Sequence, residues 1–215
     1  KRDIYAGFTE VVVPLTKPVI IAGAGPVGCV AALRLVQAGI RVILLEGAKE
    51  LPQTLRASTF HPPSLDMIEE LGLVKPLIAQ GLICDRYQYR DRRTGEVAEF
   101  NLAALKDDTR HPYRLQAEQW KLVYLIWKEL ADKYSHLAEC HLNFAVKGVN
   151  QVADGVEVLA WENGQERLLE GSYLIAADGA DSTVRKACAI PFEGFTYPER
   201  FLVASTSFPL ETKFE

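Results

Sequence analysis

Three glycines at a fixed spacing are the first residues of this sequence that could do chemistry. They are Gly23, Gly25 and Gly28. An apolar run at 18–22, typical of a buried strand, precedes them, and a stretch at 27–38 that predicts a helix follows. In such a turn the first glycine permits the bend, the second lets the backbone approach a pyrophosphate, and the third lets the helix pack closely on the strand. Because a helix N-terminus also offers free N–H groups to an anion, the segment predicts a phosphate-binding turn.

An acidic residue lies where a dinucleotide site needs one. Glu46 ends the next predicted strand, at 41–46. A carboxylate there can accept hydrogen bonds from both hydroxyls of an adenosine ribose, and it repels a 2′-phosphate. The pattern therefore predicts a dinucleotide with an unphosphorylated ribose, FAD or NAD. The alternative to a dinucleotide site is a glycine turn that binds no ligand and is followed by a solvent-facing glutamate.

A second motif, DGADSTVR, occupies residues 178–185. Asp178 follows a strand predicted at 173–177, and the carboxyl ends of strands are where open α/β sheets bind ligands. Asp181 and Ser182 are good N-caps for a helix that begins there. A capped turn without a ligand would explain Ser182, but it would not require the other residues of this motif.

Taken together, the two motifs resemble those of the flavoprotein aromatic hydroxylases, the family of para-hydroxybenzoate hydroxylase. Two further segments fit this resemblance, which covers about residues 18–205. Residues 55–59 are similar to the loop whose arginine, here Arg56, lies against the FAD pyrophosphate. Residues 114–116, which we expect to open a long helix, are similar to the site where a glutamine, here Gln116, approaches the flavin side of the cofactor.

The resemblance implies that FAD is a tightly held prosthetic group and that NAD(P)H is a co-substrate. NAD(P)H would reduce the flavin, and the reduced flavin would add O2 to give a C4a-hydroperoxide that hydroxylates a small aromatic or phenolic molecule. The cofactor would carry the redox and oxygen chemistry, so no catalytic residue is assigned. The implied cofactor contacts are Gly23, Gly25, Gly28, Glu46, Arg56 and Gln116, with the backbone near Val146 facing the adenine and Asp178 organising the cofactor region.

Other functions stay open beside this one. Another flavoenzyme of the same fold, such as an epoxidase, a prenyl reductase or a halogenase, is one alternative, and an FAD-binding protein without catalysis is another. An NAD-only dehydrogenase is disfavoured by the second motif.

Among single residues, Arg56 could be an ordinary exposed arginine and Gln116 a simple helix-start residue. His61 is more often structural than catalytic in such a place, and no metal site is predicted, because the other histidines show no constellation with Cys, Asp or Glu.

The remaining pattern predicts an α/β protein: a Rossmann-type FAD-binding fold with a parallel sheet, plus an antiparallel β portion of a substrate domain. We expect the FAD-binding domain at 15–83 and 116–190, and a partial substrate domain at 84–115 and 191–215. A second acidic motif of the family is not found before Glu215, so we expect a truncated portion of a longer enzyme. The predicted elements outside the dinucleotide turn are helices at 62–71, 74–80 and about 117–134, a hairpin at 85–90 and 96–100, and strands near 143–146, 155–160, 167–170, 173–177 and 201–208.

Composition excludes several partner classes. The net charge of −4 argues against nucleic acid as a partner, since binding to the phosphate backbone depends on clustered Lys and Arg. No apolar run is long enough to predict a transmembrane segment. The four cysteines are scattered, which favours reduced thiols in a cytoplasmic protein. A homodimer is one option for the assembly.

Overall fold

The computed structural model describes residues 16–53, 57–91, 93–200, 202 and 206–209. Among the helices in these ranges, none combines the length and the apolar character that a membrane crossing requires. The helices are α1 (Pro26–Gln37), α2 (Pro62–Glu70), α3 (Val74–Ile78), α4 (Gln119–Lys133) and α5 (Thr183–Ala187). The strands are β1 (Val19–Ala22), β2 (Val42–Leu45), β3 (Thr59–Phe60), β4 (Leu82–Cys84), β5 (Arg86–Arg90), β6 (Val97–Asn101), β7 (Arg114–Gln116), β8 (Ala138–His141), β9 (Phe144–Val152), β10 (Gly155–Glu162), β11 (Gln165–Gly171) and β12 (Tyr173–Ala176).

A parallel sheet in the order β12-β1-β2-β8 forms the centre of the fold. β1 lies between β12 and β2, and all four of its residues are buried. This explains its unbroken apolar sequence, because a parallel strand covered on both faces has no solvent side. The strand β8 had not been predicted. It is a short edge strand whose residues include Glu139 and His141, so its sequence lacks the apolar run that marked β1 and β2.

Alternate residues of the central strands pack into two separate cores. Val19, Ile21 and Leu44 belong to the core that contains residues of α1 and α4. Ile20 and Leu45 belong to a second core formed with residues of β9 and β10. The antiparallel sheet β11-β10-β9 therefore covers one face of the parallel sheet, and helices cover the other. This arrangement confirms the predicted α/β fold class.

The long helix begins later than expected. Residues 114–116 do not open it, because they form β7, which pairs with β3 and β4 in an antiparallel sheet. The interpretation of Gln116 as a helix-start residue was therefore wrong. The aromatic residues of this helix contribute less to the core than its aliphatic residues do. The buried face of α4 consists of aliphatic residues, whereas Trp120 is half-buried and Tyr124 is exposed.

The hairpin outside the parallel sheet is confirmed. β5 and β6 pair in antiparallel register, with Tyr87 opposite Phe100. The chain then makes a short 3-10 turn, Leu102–Leu105, before it reaches β7. The strand predicted at 201–208 lies largely outside the described residues.

Candidate cofactor site

Two of the three motif glycines are required by the packing of the backbone itself. Gly23 has a φ of +97°, and a Cβ built there would lie 2.4 Å from the carbonyl oxygen of Ala177. A Cβ on Gly28 would lie 1.9 Å from the carbonyl oxygen of Gly23. Both distances are far below van der Waals contact, so no side chain fits at either position. These two glycines thus allow β1, α1 and the end of β12 to meet closely.

The third glycine is different. Gly25 is the N-cap residue of α1 and has φ −69° and ψ −179°, a conformation open to any residue. A Cβ built on it would meet nothing within 4 Å. Pro26 follows at the first helical position, and the cap makes no side-chain hydrogen bond. The polypeptide leaves space over Gly25, at a helix N-terminus whose first N–H groups lack intrahelical partners. This space suits a phosphate group.

Glu46 lies beside this turn and is held in place by backbone donors. Its Oε2 accepts a hydrogen bond from the backbone N–H of Ala24 at 3.0 Å, and its Oε1 accepts one from Ala48 at 2.9 Å. The side chain is half-buried. Each carboxylate oxygen can accept more than one hydrogen bond, so acceptor capacity remains for the two hydroxyls of a ribose. The carboxylate is therefore oriented before any ligand arrives.

Asp178 holds the second motif together. Ser182 donates its hydroxyl to Oδ1 of Asp178 at 2.5 Å, and the backbone N–H of Val184 donates to Oδ2 at 3.1 Å. Ser182 in turn accepts a hydrogen bond from the backbone N–H of Arg185 at 3.0 Å, which confirms it as the N-cap of α5. Asp178 is thus a positioning residue, because it fixes the turn that carries Gly179 to the rim of the site.

Most of the predicted residues meet around one cavity of about 460 Å³. Gly23 and Gly25 line it from the glycine turn, and Val146 lines it from β9. Gly28 lies behind this wall, against Gly23. A smaller adjoining cavity of about 180 Å³ is lined by Gly25, Glu46, Ala57, Gln119 and Trp120, among others. Glu46 and Asp178 complete the lining of the larger cavity from the ends of β2 and β12.

Two predicted contacts do not join this arrangement. Arg56 lies outside the described residues, although its neighbour Ala57 lines the smaller cavity. Gln116 lines a different cavity, together with Ser58 and Lys121. Its Oε1 accepts a hydrogen bond from the hydroxyl of Thr59 at 2.8 Å. A contact between Gln116 and the cofactor therefore stays a prediction.

Two features of the site region had no signal in the sequence. Trp120 reaches the cavity wall because α4 packs against α1, a relation that helical spacing alone does not reveal.

His111 lies with Asp66 and Glu69 in a group that could hold a metal ion, although the sequence pattern had not indicated this group. However, Nε of Arg110 lies 2.7 Å from Glu69, and Thr109 donates to Asp66. These protein donors already compensate the two carboxylates, and the arginine repels a cation, so we interpret the group as a structural tie between α2 and the loop before β7.

The geometry fits the adenosine diphosphate half of FAD. The open backbone at Gly25 and the start of α1 would hold the pyrophosphate, and Glu46 would hold the ribose. The β9 segment at Val146 forms the remaining wall, where the adenine would lie. The chemistry of these donors and acceptors thus matches the cofactor predicted from the sequence.

Comparisons with known proteins agree with this site. The family model described as FAD binding domain matches residues 16–213. Para-nitrophenol 4-monooxygenase of Pseudomonas sp. (strain WBC-3) is 32% identical over 190 residues, which cover 88% of this chain and 46% of that protein. 6-Hydroxy-3-succinoylpyridine 3-monooxygenase HspB of Pseudomonas putida is 32% identical over 194 residues, 90% of this chain and 49% of that protein.

Solved structures show the same relationship. The p-nitrophenol 4-monooxygenase PnpA from Pseudomonas putida DLL-E4 superposes with a TM-score of 0.78 at 30% identity, over 84% of this chain and 45% of that one. The chain spans about half the length of these relatives. The resemblance to the flavoprotein aromatic hydroxylases is confirmed, and the chain belongs to the FAD binding domain family.

Proposed function

We propose that this chain is the FAD-binding portion of an FAD-dependent monooxygenase that uses NAD(P)H and O2 to hydroxylate a small aromatic or phenolic molecule. The observation that carries the proposal is the cavity at Gly25 and Glu46, which places an open helix N-terminus for a phosphate beside a carboxylate for a free ribose. The relatives add the reaction class, because the matched proteins are named as monooxygenases of nitrophenol and of a hydroxypyridine. No observation favours an epoxidase, a prenyl reductase or a halogenase.

When bound, FAD would supply the redox chemistry between NAD(P)H and O2. The residues of this chain bind and orient the cofactor. The α1 N-terminus and Gly25 hold the pyrophosphate, Glu46 fixes the ribose, and Asp178 keeps the second turn at the rim. Arg56, Gln116 and Val146 complete the proposed contact set. Residues that hold the adenosine end would also restrict where the flavin end can lie.

The proposal extends to the organisation and location of the protein. We assign 15–83 and 116–190 to the FAD-binding domain, and the hairpin region 84–115 with 191–215 to a substrate domain. The four cysteines at the described positions are unpaired thiols, which supports a reducing compartment such as the cytoplasm.

The test uses the full-length protein. We expect the purified protein to show the visible absorbance of bound FAD, and 4-nitrophenol to accelerate its oxidation of NADH or NADPH. Product formed under ¹⁸O2 should carry one labelled oxygen, as detected by mass spectrometry. Nitrobenzene, which lacks the hydroxyl group, is the matched control ligand and should give no labelled product.

Two outcomes would contradict the proposal in different ways. A full-length protein without flavin absorbance would refute the cofactor assignment. Stoichiometric FAD without stimulated NAD(P)H oxidation, across a panel of phenols and hydroxypyridines, would instead support an FAD-binding protein without catalysis.

A further inference from the structure

The short segment between β8 and β9 surrounds the loop that carries Glu46. The backbone N–H of Glu46 donates to the carbonyl oxygen of His141 at 2.8 Å, and the carbonyl oxygen of Glu46 accepts a hydrogen bond from the N–H of Phe144 at 2.8 Å. Between these two residues, Asn143 donates its backbone N–H to the carbonyl oxygen of Ala48 at 2.7 Å. Three backbone hydrogen bonds thus join this segment to the residues that follow β2.

These bonds act on the carboxylate of Glu46 through Ala48. The backbone N–H of Ala48 donates to Oε1 of Glu46 at 2.9 Å, while the carbonyl oxygen of the same residue is held by Asn143. The path from Asn143 to the carboxylate therefore passes through a single residue. Because a hydrogen bond weakens when its distance or angle changes, a shift of Asn143 would move the donor that orients Glu46.

The backbone of Asn143 has an unusual conformation. Its φ is +54°, in the left-handed region that residues with a Cβ rarely adopt and that asparagine tolerates better than most. In this conformation the N–H groups of Asn143 and Phe144 both reach the loop after β2. A negative φ would redirect the chain between His141 and Phe144, whose hydrogen bonds to Glu46 lie on either side of it.

A second asparagine holds Asn143 in place. Nδ2 of Asn143 donates to Oδ1 of Asn163, and the backbone N–H of Asn163 donates to the carbonyl oxygen of Asn143 at 3.4 Å. Asn163 and Gly164 form the two-residue turn between β10 and β11, with φ values of +52° and +84°. Two positive φ values are typical of the hairpin turn that fits the twist of its strands. The side chain and the carbonyl group of Asn143 are therefore both tied to a regular hairpin.

The bend at Asn143 also leads into the wall of the cofactor cavity. Residues 144–146 line this cavity, together with Gly47. A Cβ built on Gly47 would lie 3.5 Å from the Cβ of Ala145, so the loop after β2 and the start of β9 are in contact. Asn143 itself is not among the lining residues. Its effect on a ligand would therefore pass through Glu46.

We propose that Asn143 is a positioning residue for the ribose of the cofactor. Its left-handed backbone, stabilised by Asn163, holds the Glu46 carboxylate in the direction that a ribose 2′-hydroxyl requires. The inference rests on the proposed function, because it takes Glu46 to be the residue that binds the ribose of FAD. The property that Asn143 controls is the preference of the site for a ribose over a deoxyribose.

The experiment compares two ligands that differ by one hydroxyl group. ADP and 2′-deoxy-ADP are titrated calorimetrically into full-length apoprotein, and the selectivity is the ratio of their dissociation constants. The wild type should bind ADP about tenfold more tightly, since 2′-deoxy-ADP cannot make a hydrogen bond to the charged acceptor. Asn143→Ala should reduce this ratio to less than about threefold, because alanine disfavours a positive φ and has no amide to hold the bend.

Three comparisons separate positioning from a general loss of structure, which would weaken both ligands equally. Asn143→Gly lacks the amide but adopts a positive φ without strain, so it should keep a ratio of about ten. Asn150→Ala removes an exposed amide of β9 that donates to Glu157, and it should behave as the wild type. In Glu46→Gln the ratio should fall close to one. Adding Asn143→Ala to that variant should change the ratio by less than about twofold, because both residues act on one interaction.

Several results would overturn the inference. These are a wild-type ratio in Asn143→Ala, equal loss of the ratio in Asn143→Ala and Asn143→Gly, or a wild type that does not prefer ADP. Failure of the proposed function is a separate result. A wild type that selects ADP through Asn143 but shows no stimulated NAD(P)H oxidation would refute the monooxygenase and keep the positioning role.

Discussion

Two glycines of the same turn should respond in opposite ways to one added methyl group. Gly25 and Gly28 are three residues apart at the start of α1, yet a Cβ would meet open space at the first and the carbonyl oxygen of Gly23 at the second. We therefore expect Gly28→Ala to damage the fold and Gly25→Ala to damage cofactor binding. Comparing the two variants separates the structural from the functional part of the motif.

The magnitudes follow from the geometry. In Gly28→Ala the new Cβ would lie 1.9 Å from a backbone oxygen, which cannot rotate away as a side chain can. Overpacking of this kind costs about 1–3 kcal/mol, and a chain of this size should then lose about 2–12 °C in Tm. In Gly25→Ala two small terms oppose each other. Alanine is a poorer N-cap than glycine by about 0.5–1 kcal/mol, whereas the lower entropy of its unfolded chain contributes about 0.4–1 kcal/mol of stability. Its Tm should change little.

Binding should show the reverse order. The methyl group of Gly25→Ala occupies the space over the α1 N-terminus, where a phosphate would accept charge-assisted hydrogen bonds. Loss of one such bond costs about 1.5–3 kcal/mol, which corresponds to FAD binding about ten- to hundredfold weaker.

The assay uses full-length apoprotein prepared from each variant. Tm is measured by circular dichroism without cofactor, and the dissociation constant for FAD by quenching of flavin fluorescence. A Gly25→Ala variant whose apoprotein Tm falls as much as that of Gly28→Ala, or which binds FAD with wild-type affinity, would contradict these expectations.

Three further predictions concern neighbouring side chains. Glu46→Gln should weaken FAD binding about tenfold, because a neutral amide is a poorer acceptor for two ribose hydroxyls, while the exposed Glu50→Gln should have no effect on the same fluorescence titration. Asp178→Ala removes the acceptor of two hydrogen bonds and should lower the free energy of unfolding by about 1–3 kcal/mol in urea, against about 1 kcal/mol for Ser182→Ala. An unchanged urea midpoint for Asp178→Ala would contradict its positioning role. Burial raises the pKa of the Cys29 thiol from 9.0 to about 12. The stability that the neutral thiol contributes is therefore present below pH 9.0 and is lost as the pH rises toward about 12, a dependence that Cys29→Ala should lack in urea titrations. Rapid alkylation of the native Cys29 thiol at pH 8 would argue against this shift.

The local geometry around the candidate site could be predicted from the sequence. The glycine turn follows from steric constraints within a few residues, and Glu46 lies at the end of an unmistakable apolar strand. Ser182 caps a helix that begins one residue later. In each of these cases the residue types and their spacing along the chain determine the geometry.

The parts that were missed depend on distant partners. β7 has only three residues, and it becomes a strand because it pairs with residues 59–60 and 82–84. No periodicity could reveal it, so Gln116 was assigned to the helix that follows. Trp120 and Arg114 line cavities whose opposite walls come from remote segments. Such pockets depend on tertiary packing, which the local patterns of a single sequence do not reveal.

The order of the parallel sheet has a consequence for biosynthesis. The central strand β1 is synthesised about 150 residues before its neighbour β12. Until Tyr173–Ala176 leaves the ribosome, β1 has an unpaired edge of apolar residues, which is the type of edge that promotes aggregation. Since Asp178 and Gly179 line the cofactor cavity just after β12, the nascent chain cannot complete that cavity earlier. Free FAD in the cell would thus stabilise the domain only late in synthesis, and we expect a chaperone to protect β1 before then.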